Sequence, residues 1–279
     1  CIIKRNVTGV RGKETPTKQS SNRFVKLPGS ITFHVEHHLL SIVCFSVKIA
    51  YIITRKETNM TYTHLLFDLD GTLTDSQEGI IKSVRYALED IKPSAESDEV
   101  MKRYIGPPLI DSFKEFDGLD DETAKRAVKR YRERYNTVGL YENKLIEGMD
   151  ECVKRLKESG KKIALATCKP EQLAIQIIEH FNLTPYFDVL VGSLDDTRKY
   201  KNQVIEEVFR RFEQTDLNFK RESAIMVGDR KDDVLGAKKA GIQCIGVGFG
   251  FAKEGEFEEA GADYVVNSAK ELTDFILEL

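Results

Sequence analysis

The spacing of hydrophobic and polar positions divides the chain after residue 60 into three stretches. The nearly continuous apolar run His64–Phe67 is typical of a strand that is buried on both faces. From Ser76 to about Tyr135, apolar residues recur every three or four positions, which predicts amphipathic helices and no strand. From Glu147 onwards, short apolar runs alternate with helical patterns. This alternation predicts an α/β fold with a doubly wound parallel sheet and an inserted all-α segment.

Four helices are predicted in the inserted segment. In chain order they are a helix from about Ser76 that Pro93 ends, a second over Asp98–Tyr104, a third directly after Pro107-Pro108, and a fourth over Asp121–Tyr135. The fourth carries Tyr131 and Tyr135 on its apolar side. No strand interrupts these helices, so we expect a separate bundle over residues 76–145. The α/β core is then expected to consist of residues 60–75 and 146–279.

The core is expected to contain five strands after the first one, separated by helices. The predicted strands are Lys162–Thr167, Phe187–Gly192, Ala224–Gly228, Cys244–Val247 and Tyr264–Val266. The predicted helices are Asp150–Glu158, Pro170–His180, Lys201–Phe212, Val234–Ala240 and Ala269–Leu277. Gly160 and Gly241 follow two of these helices directly, and glycine is suited to such a C-terminal stop.

The first 59 residues differ in composition from the rest of the chain. They carry ten Lys and Arg, three Glu and no Asp, a net charge of about +7, whereas the remainder carries about −10. We interpret residues 1–59 as a disordered or non-native extension, with Met60 as the natural start. The apolar stretch Leu39–Ile53 is interrupted by Lys48 and is shorter than the roughly 20 residues of a membrane helix. A membrane tether is therefore the minority interpretation.

Composition also bears on compartment and partners. The five cysteines are scattered without paired or metal-type spacing, which favours reduced thiols in a cytoplasmic protein over a disulfide framework. The chain after residue 60 is acidic, and the basic N-terminal segment contains no recognisable binding module, which disfavours a nucleic-acid partner.

Carboxylates follow two of the predicted strands. Asp68 and Asp70 come directly after the first strand, and Asp229 and Asp233 follow the strand that ends at Gly228. Open α/β sheets bind ligands at the carboxyl ends of their strands. Carboxylates gathered there repel one another unless they share a cation, and hard oxygen ligands favour Mg²⁺. Carboxylates at these strand ends are therefore candidate metal ligands.

The run from Asp68 to Leu73, Asp-Leu-Asp-Gly-Thr-Leu, resembles the first motif of the haloacid dehalogenase-like hydrolases, and most closely their phosphoglycolate phosphatase-like branch. The Gly-Asp-x-x-x-Asp pattern that contains Asp229 and Asp233 matches the acidic motif of the same family. The resemblance implies that Asp68 is a nucleophile and Asp70 an acid and base. It makes these two residues, together with Asp229 and Asp233, the predicted metal ligands. It also implies that the helical segment is a cap over the active site.

Two further segments carry the resemblance. The run from Ala166 to Pro170 is similar to the second family motif, which makes Thr167 and Cys168 candidate phosphate-binding residues. The family also has a lysine that neutralises the phosphate and the nucleophile. Lys201, at the start of a predicted helix, is our candidate for it, and Lys199 is the alternative.

The helical segment contains a turn that resembles those of phosphoglycolate phosphatase-like caps, Arg103-Tyr104-Ile105-Gly106-Pro107-Pro108-Leu109. Arg103 and Gly106 are therefore candidates for substrate specificity. The resemblance implies a Mg²⁺-dependent phosphatase, a monomer or homodimer, that acts on a small phosphorylated metabolite such as phosphoglycolate or a nucleotide. A sugar phosphomutase, a pyrophosphatase and a binding or scaffold protein with the same fold remain open.

Overall fold

Six parallel strands form the central sheet in this computed structural model, which describes residues 61–93, 95–194 and 197–279. The strands of the described residues are β1 His64–Phe67, β2 Thr74–Asp75, β3 Lys144–Leu145, β4 Lys162–Pro170, β5 Val189–Ser193, β6 Ala224–Gly228, β7 Gln243–Val247 and β8 Tyr264–Val266. The sheet has the order β5-β4-β1-β6-β7-β8, and β2 and β3 pair separately.

The helices follow the expected alternation. They are Gln77–Leu88, Asp98–Met101, Leu109–Asp117, Asp121–Arg134, Met149–Glu158, Glu171–His180, Lys201–Thr215, Lys231–Ala240, Glu256–Ala260 and Ala269–Glu278. Short 3-10 turns cover Lys102–Tyr104, Thr184–Tyr186 and Arg221–Ser223, and a π-helical turn covers Tyr135–Gly139. None of the helices in this part of the chain is long and apolar enough to cross a membrane.

Both faces of the sheet are covered by helices. Leu65 and Phe67 of β1 point into a core shared with helices Met149–Glu158, Glu171–His180 and Ala269–Glu278. Leu66 points the other way, into a core shared with helices Lys201–Thr215 and Lys231–Ala240. Because β1 is buried on both sides, nearly every one of its residues has to be apolar. The predicted doubly wound parallel sheet is confirmed.

The chain changes direction in the sheet at β1. It proceeds from β1 to β4 and β5 on one side, and then crosses to β6 on the other side. Phe67 at the end of β1 is therefore paired with Leu165 of β4 and with Val227 of β6. Ligands bind at such a switch point in open α/β sheets, next to the carboxyl ends of the strands.

The first predicted helix ends earlier than expected. It stops at Leu88, and the N–H groups of Ile91 and Lys92 turn back to the Leu88 carbonyl oxygen at 3.0 and 2.9 Å. A tight turn therefore ends the helix before Pro93 is reached.

The predicted ends of several other helices and strands are wrong, because side-chain contacts and strand pairing determine where these elements begin and end. Helix Lys231–Ala240 begins three residues before the apolar pattern, since the Asp233 carboxylate accepts the N–H of Arg230 at 3.0 Å and caps the first turn. Strand β4 continues past Thr167, because Pro170 is paired with Ser193 of β5 after a shift in register. Helix Glu256–Ala260 and the pair β2–β3 are too short to produce a periodic pattern.

The helical segment leaves and rejoins the α/β part at one place. Thr74 of β2 is paired with Leu145 of β3, and Asp75 with Lys144, so the two connections lie side by side. The division into a cap over residues 76–145 and a core over 60–75 and 146–279 stays a prediction. Our interpretation of residues 1–59 lies outside the described residues.

Candidate active site

Three of the predicted metal ligands lie together at the carboxyl end of the sheet. Asp68 directly follows β1, and its N–H donates to the Val227 carbonyl oxygen of β6 at 2.9 Å. Asp229 follows β6, and Asp233 lies in the first turn of the next helix. One carboxylate oxygen from each of Asp68, Asp229 and Asp233 lies within 4.8 Å of the others. Asp229 and Asp233 are buried, and Asp68 is half-buried.

A glycine turn allows this close approach. Gly71 has a φ of +85°, and a Cβ atom there would overlap with the Asp229 carboxylate and the Phe251 ring. The same carboxylate accepts the N–H of Phe251 at 2.7 Å and the Thr72 hydroxyl at 3.4 Å. The Asp-Gly-Thr turn after β1 therefore packs directly on Asp229 and holds its orientation.

Lys201 supplies positive charge to two of the three carboxylates, those of Asp68 and Asp233. Its Nζ lies 2.8 Å from Asp68 Oδ1 and 2.7 Å from Asp233 Oδ1, and it donates to the Ala166 carbonyl oxygen at 2.9 Å. Burial alone would lower the pKa of Lys201, but the two carboxylates outweigh it and hold that pKa well above its usual value. Lys201 is therefore a buried, permanently charged group.

The remaining charge at the site favours a divalent cation. Burial, followed by repulsion from Asp233 and Asp68, raises the pKa of Asp229 well above its usual value. Burial also raises the pKa of Asp233, to about 6, although Lys201 opposes this rise. The site thus gathers three carboxylates, and the Lys201 ammonium group pairs with two of them. Their hard oxygen atoms and excess negative charge fit a cation such as Mg²⁺.

The Asp70 side chain does not join this group. Its two oxygens accept hydrogen bonds from Lys169 Nζ at 2.8 and 3.0 Å. The geometry thus separates the two motif aspartates, with Asp68 beside Lys201 and Asp70 beside Lys169. The prediction that the Asp70 carboxylate is a metal ligand gains no support from this arrangement.

Thr167 and Cys168 lie in β4, beside the end of β1. The buried Thr167 hydroxyl accepts the N–H of Lys169 at 3.2 Å. Cys168 is half-buried as a residue, and burial of its thiol is the main reason why its pKa rises to about 12. The thiol is therefore neutral near neutral pH and is not an activated nucleophile. The role of these two residues in phosphate binding stays a prediction.

The two candidate lysines have different surroundings. Lys199 Nζ lies 3.1 Å from Asp111 Oδ2, on the Leu109–Asp117 helix, and its side chain is partly exposed. Lys201, by contrast, contacts the carboxylates of Asp68 and Asp233. The geometry favours Lys201 as the motif lysine.

The two candidate specificity residues of the helical segment are placed differently. Arg103 pairs with Glu96 at 2.6 Å and lies over the Phe116 ring at 4.9 Å, so its contacts are within the helical segment. Gly106, with a φ of +103°, lies in the turn whose Ile105 carbonyl oxygen accepts a hydrogen bond from Arg230 Nη1 at 2.9 Å. The turn, but not Arg103, is thus joined to the loop that carries Asp229.

The hydrogen bonds that hold the Arg230 side chain were not predicted from the sequence. Its Nε donates to the buried carboxylate of Glu256 at 2.8 Å, and the same carboxylate accepts the N–H of Lys231 at 2.8 Å. Glu256 belongs to the short unpredicted helix, and 26 residues separate it from Arg230. A local pattern contains no signal for such a pair.

Comparison with known proteins identifies the family. Residues 65–247 match the model of a family described as haloacid dehalogenase-like hydrolase. The chain is 40% identical to a 5'-nucleotidase of Pseudomonas aeruginosa, over 72% of this chain and 89% of that protein. It is 36% identical to pyrophosphatase PpaX of Halalkalibacterium halodurans, over 78% of this chain and 98% of that protein.

A solved structure agrees with this assignment. The crystal structure of a predicted phosphatase from Clostridium acetobutylicum is similar with a TM-score of 0.73 and 44% identity, and the match covers 78% of this chain and 100% of that one. The chain belongs to the haloacid dehalogenase-like hydrolases, and the predicted family and enzyme class are confirmed.

Proposed function

We propose that this protein is a Mg²⁺-dependent phosphatase that hydrolyses a small phosphomonoester through an aspartyl-phosphate on Asp68. The supporting observation is the position of the Asp68 carboxylate at the sheet edge. It lies 2.8 Å from the buried Lys201 ammonium and within the group formed with Asp229 and Asp233. A half-buried carboxylate next to fixed positive charge is suited to attack an anionic phosphoryl group.

The reaction has two steps in this proposal. An Asp68 oxygen forms a bond to phosphorus while the bond from phosphorus to the ester oxygen breaks, and Asp70 gives a proton to the departing oxygen. Asp70 then takes a proton from a water molecule, whose oxygen attacks the phosphorus of the aspartyl-phosphate. The bond between phosphorus and the Asp68 oxygen breaks, so inorganic phosphate leaves and the Asp68 carboxylate is restored. Asp70 then again holds the proton that it gives in the first step.

The remaining groups neutralise charge and position the substrate. Lys201 and the Thr167 and Cys168 region would bind the phosphoryl oxygens, where most of the rate enhancement is expected. Asp68, Asp229 and Asp233 would hold Mg²⁺, which when bound offsets the negative charge of the phosphoryl group. The helical segment would act as the cap, with the Gly106 turn facing the site.

The relatives support two substrate classes, and the sequence motifs support a third. The 5'-nucleotidase favours a nucleoside 5'-monophosphate, and the pyrophosphatase keeps pyrophosphate as an alternative. The sequence motifs add phosphoglycolate. A sugar phosphomutase of the same fold would convert a substrate into its isomer with little phosphate release.

Phosphate release by the full chain from these compounds tests the proposal. Release should require Mg²⁺ and fall by about a thousand-fold or more in Asp68→Asn, because the nucleophile is lost. The matched control is Asp232→Asn, which changes an exposed aspartate next to Asp233 and should retain activity. Unchanged release in Asp68→Asn would contradict the mechanism. A folded protein that releases no phosphate from any compound would favour a mutase or a binding role.

A further inference from the structure

Tyr135 has a buried hydroxyl group that the proposed mechanism does not use. Only 2% of the residue is exposed, and its hydroxyl has no hydrogen-bond partner in the described part of the chain. Leaving a buried donor unpaired destabilises a folded protein, so nearly all such groups are paired. An unpaired one at a functional site is therefore a candidate contact for a polar ligand.

The Tyr135 ring lies beside the proposed acid and base. Lys169 Nζ is 4.8 Å from the centre of this ring, and the same Nζ donates to both oxygens of Asp70. The tyrosine of the helical segment, the lysine of β4 and the aspartate after β1 thus form one continuous cluster. Burial and the nearby charge of Asp70 raise the pKa of Tyr135 well above its usual value, so its hydroxyl remains a donor.

The local backbone holds Tyr135 firmly. It begins the π-helical turn Tyr135–Gly139, a type of irregularity that is frequent at functional sites. Gly139 packs so closely on Gly79 of the first helix that a Cβ atom at Gly79 would overlap with the Gly139 carbonyl group. The Tyr135 ring stacks on Tyr131 with centroids 5.1 Å apart and an interplanar angle of 13°. The hydroxyl is therefore held in place before a substrate binds.

A second unpaired hydroxyl lies next to Asp70. Thr74 forms a backbone bridge with Asp70, is fully buried, and has a hydroxyl without a hydrogen-bond partner among the described residues. Two different elements of the fold thus each place an unpaired hydroxyl group in the surroundings of the Asp70 carboxylate. This polarity fits an oxygen-bearing ligand better than an apolar one.

We propose that Tyr135 determines specificity by donating a hydrogen bond to an oxygen atom of the leaving group other than the ester oxygen. This inference rests on the proposed function, because it takes the surroundings of Asp70 as the place where the leaving group departs. The preferred substrates then carry an oxygen acceptor close to the scissile bond, as nucleoside monophosphates, phosphoglycolate and pyrophosphate do. A leaving group without such an oxygen gains nothing from Tyr135.

Tyr135→Phe tests this role because it removes only the hydroxyl. We expect kcat/KM for the best oxygen-bearing substrate to fall by about 10- to 100-fold, the usual loss for a hydrogen bond to a charged or strongly polar group. For phenyl phosphate, whose leaving group has no oxygen besides the ester oxygen, kcat/KM should change by less than about three-fold. The midpoint of thermal unfolding without substrate should stay the same or rise, since an unpaired buried donor has been removed.

The control is Tyr86→Phe, which removes a hydroxyl from an exposed tyrosine of the same helical segment. It should leave both kcat/KM values unchanged. Equal losses on both substrates, or a lower unfolding midpoint, would assign Tyr135 a structural role and overturn the proposal, as would wild-type kcat/KM values in Tyr135→Phe. Failure of the proposed function is a different result, because the wild-type protein itself would then release no phosphate.

Discussion

The Lys201 ammonium group occupies a position that its own helix does not favour. Lys201 begins helix Lys201–Thr215, where the helix dipole disfavours a positive charge. The carboxylates of Asp68 and Asp233 reverse this preference, since both contact Nζ in a buried setting. Gly236 of the neighbouring helix permits the approach, because a Cβ there would press on the Lys201 side chain. The lysine is thus held between Asp68, the proposed nucleophile, and Asp233, a candidate metal ligand.

Replacement of Lys201 distinguishes it from Lys199. Lys201→Met should lower kcat about 100- to 1,000-fold, because a fixed charge at the phosphoryl group is lost. It should also destabilise the metal-free protein by about 3–5 kcal/mol, because the buried carboxylate of Asp233 and the half-buried carboxylate of Asp68 lose their partner. Lys199→Met removes an exposed pair with Asp111, worth about 0–1 kcal/mol, and serves as control. Phosphate release and thermal unfolding measure both effects. Equal activity losses in the two variants would contradict the assignment.

Gly71 allows a second residue-specific prediction. Gly71→Ala combines backbone strain at a φ of +85° with overlap on the Asp229 carboxylate. Gly255→Ala is the matched control, since its φ is +79° and no atom lies within 4 Å of the added Cβ. Both variants should lose about 1–3 kcal/mol of stability from strain. Only Gly71→Ala should also lose about 100-fold in kcat/KM, because a group at the site is displaced. Similar kcat/KM values in the two variants would show that the site tolerates a displaced Asp229 carboxylate.

The helical segment and the α/β part are joined through Arg230. Its guanidinium group donates to Glu256 of the Glu256–Ala260 helix and to the Ile105 carbonyl oxygen of the turn before helix Leu109–Asp117. The guanidinium group is a rigid plane whose separate nitrogens, here Nε and Nη1, reach two partners at different places, and the single Nζ of a lysine does not reproduce this geometry. One side chain therefore aligns the Gly106 turn with the loop that follows β6.

Arg230→Lys should loosen this connection. The variant keeps the charge but loses one of the two hydrogen bonds, so we expect a loss of about 0.5–1.5 kcal/mol in stability. KM should rise several-fold, since the turn is no longer fixed to the loop that carries Asp229. Hydrogen exchange at Ile105 and Gly106 should become faster, and steady-state kinetics measure KM. Arg221→Lys, at an exposed arginine paired with Glu206, is the control and should show neither effect. Unchanged exchange in Arg230→Lys would argue against this connection.

The stability of the entire protein depends on both pH and metal binding, because both act on the buried carboxyl groups. A carboxyl group with a raised pKa favours the folded state when it is protonated, and this contribution is lost as the pH rises through the folded-state value. The pKa of Asp233 is raised from 3.8 to about 6, so its contribution is lost between these two pH values. The pKa of Asp229 is raised as well. The metal-free protein therefore loses this contribution as the pH rises to neutrality. Mg²⁺ binds the ionised carboxylates, so its stabilising effect should grow over the same interval.

Thermal unfolding with EDTA or with Mg²⁺ checks this linkage. Near pH 7.5, Mg²⁺ at about 100 times its Kd should add about 2.7 kcal/mol to the free energy of unfolding, and near pH 5 it should add much less. Asp233→Asn should reduce the effect of Mg²⁺, whereas Asp232→Asn, at an exposed position, should not. An effect of Mg²⁺ that is equal at both pH values would contradict the proposed site.

The order of the strands and helices after residue 60 could be predicted because the responsible signals are local. An apolar run such as His64–Phe67, or apolar residues every three or four positions, reports burial within one element. The positions of Asp68 and Asp229 directly after strands followed in the same way, since carboxyl ends of parallel strands meet at one edge. The bounds of elements were less predictable because capping by Asp233 and the register of Pro170 depend on contacts outside the periodic pattern.

Only the tertiary structure separated Asp70 from the other carboxylates and brought Lys201, the candidate already favoured from the sequence, into contact with Asp68 and Asp233. The pairs Asp70–Lys169 and Ile105–Arg230 join residues 99 and 125 positions apart. Tyr135 has the pattern of an ordinary core residue in its helix, and its unpaired hydroxyl becomes visible only when its neighbours are in place. Periodicity reports which residues are buried, whereas the partners of a buried polar group are set by how distant elements pack. For this reason the fold and the positions of the motifs could be predicted from the sequence, whereas the pairing of the charged groups could not.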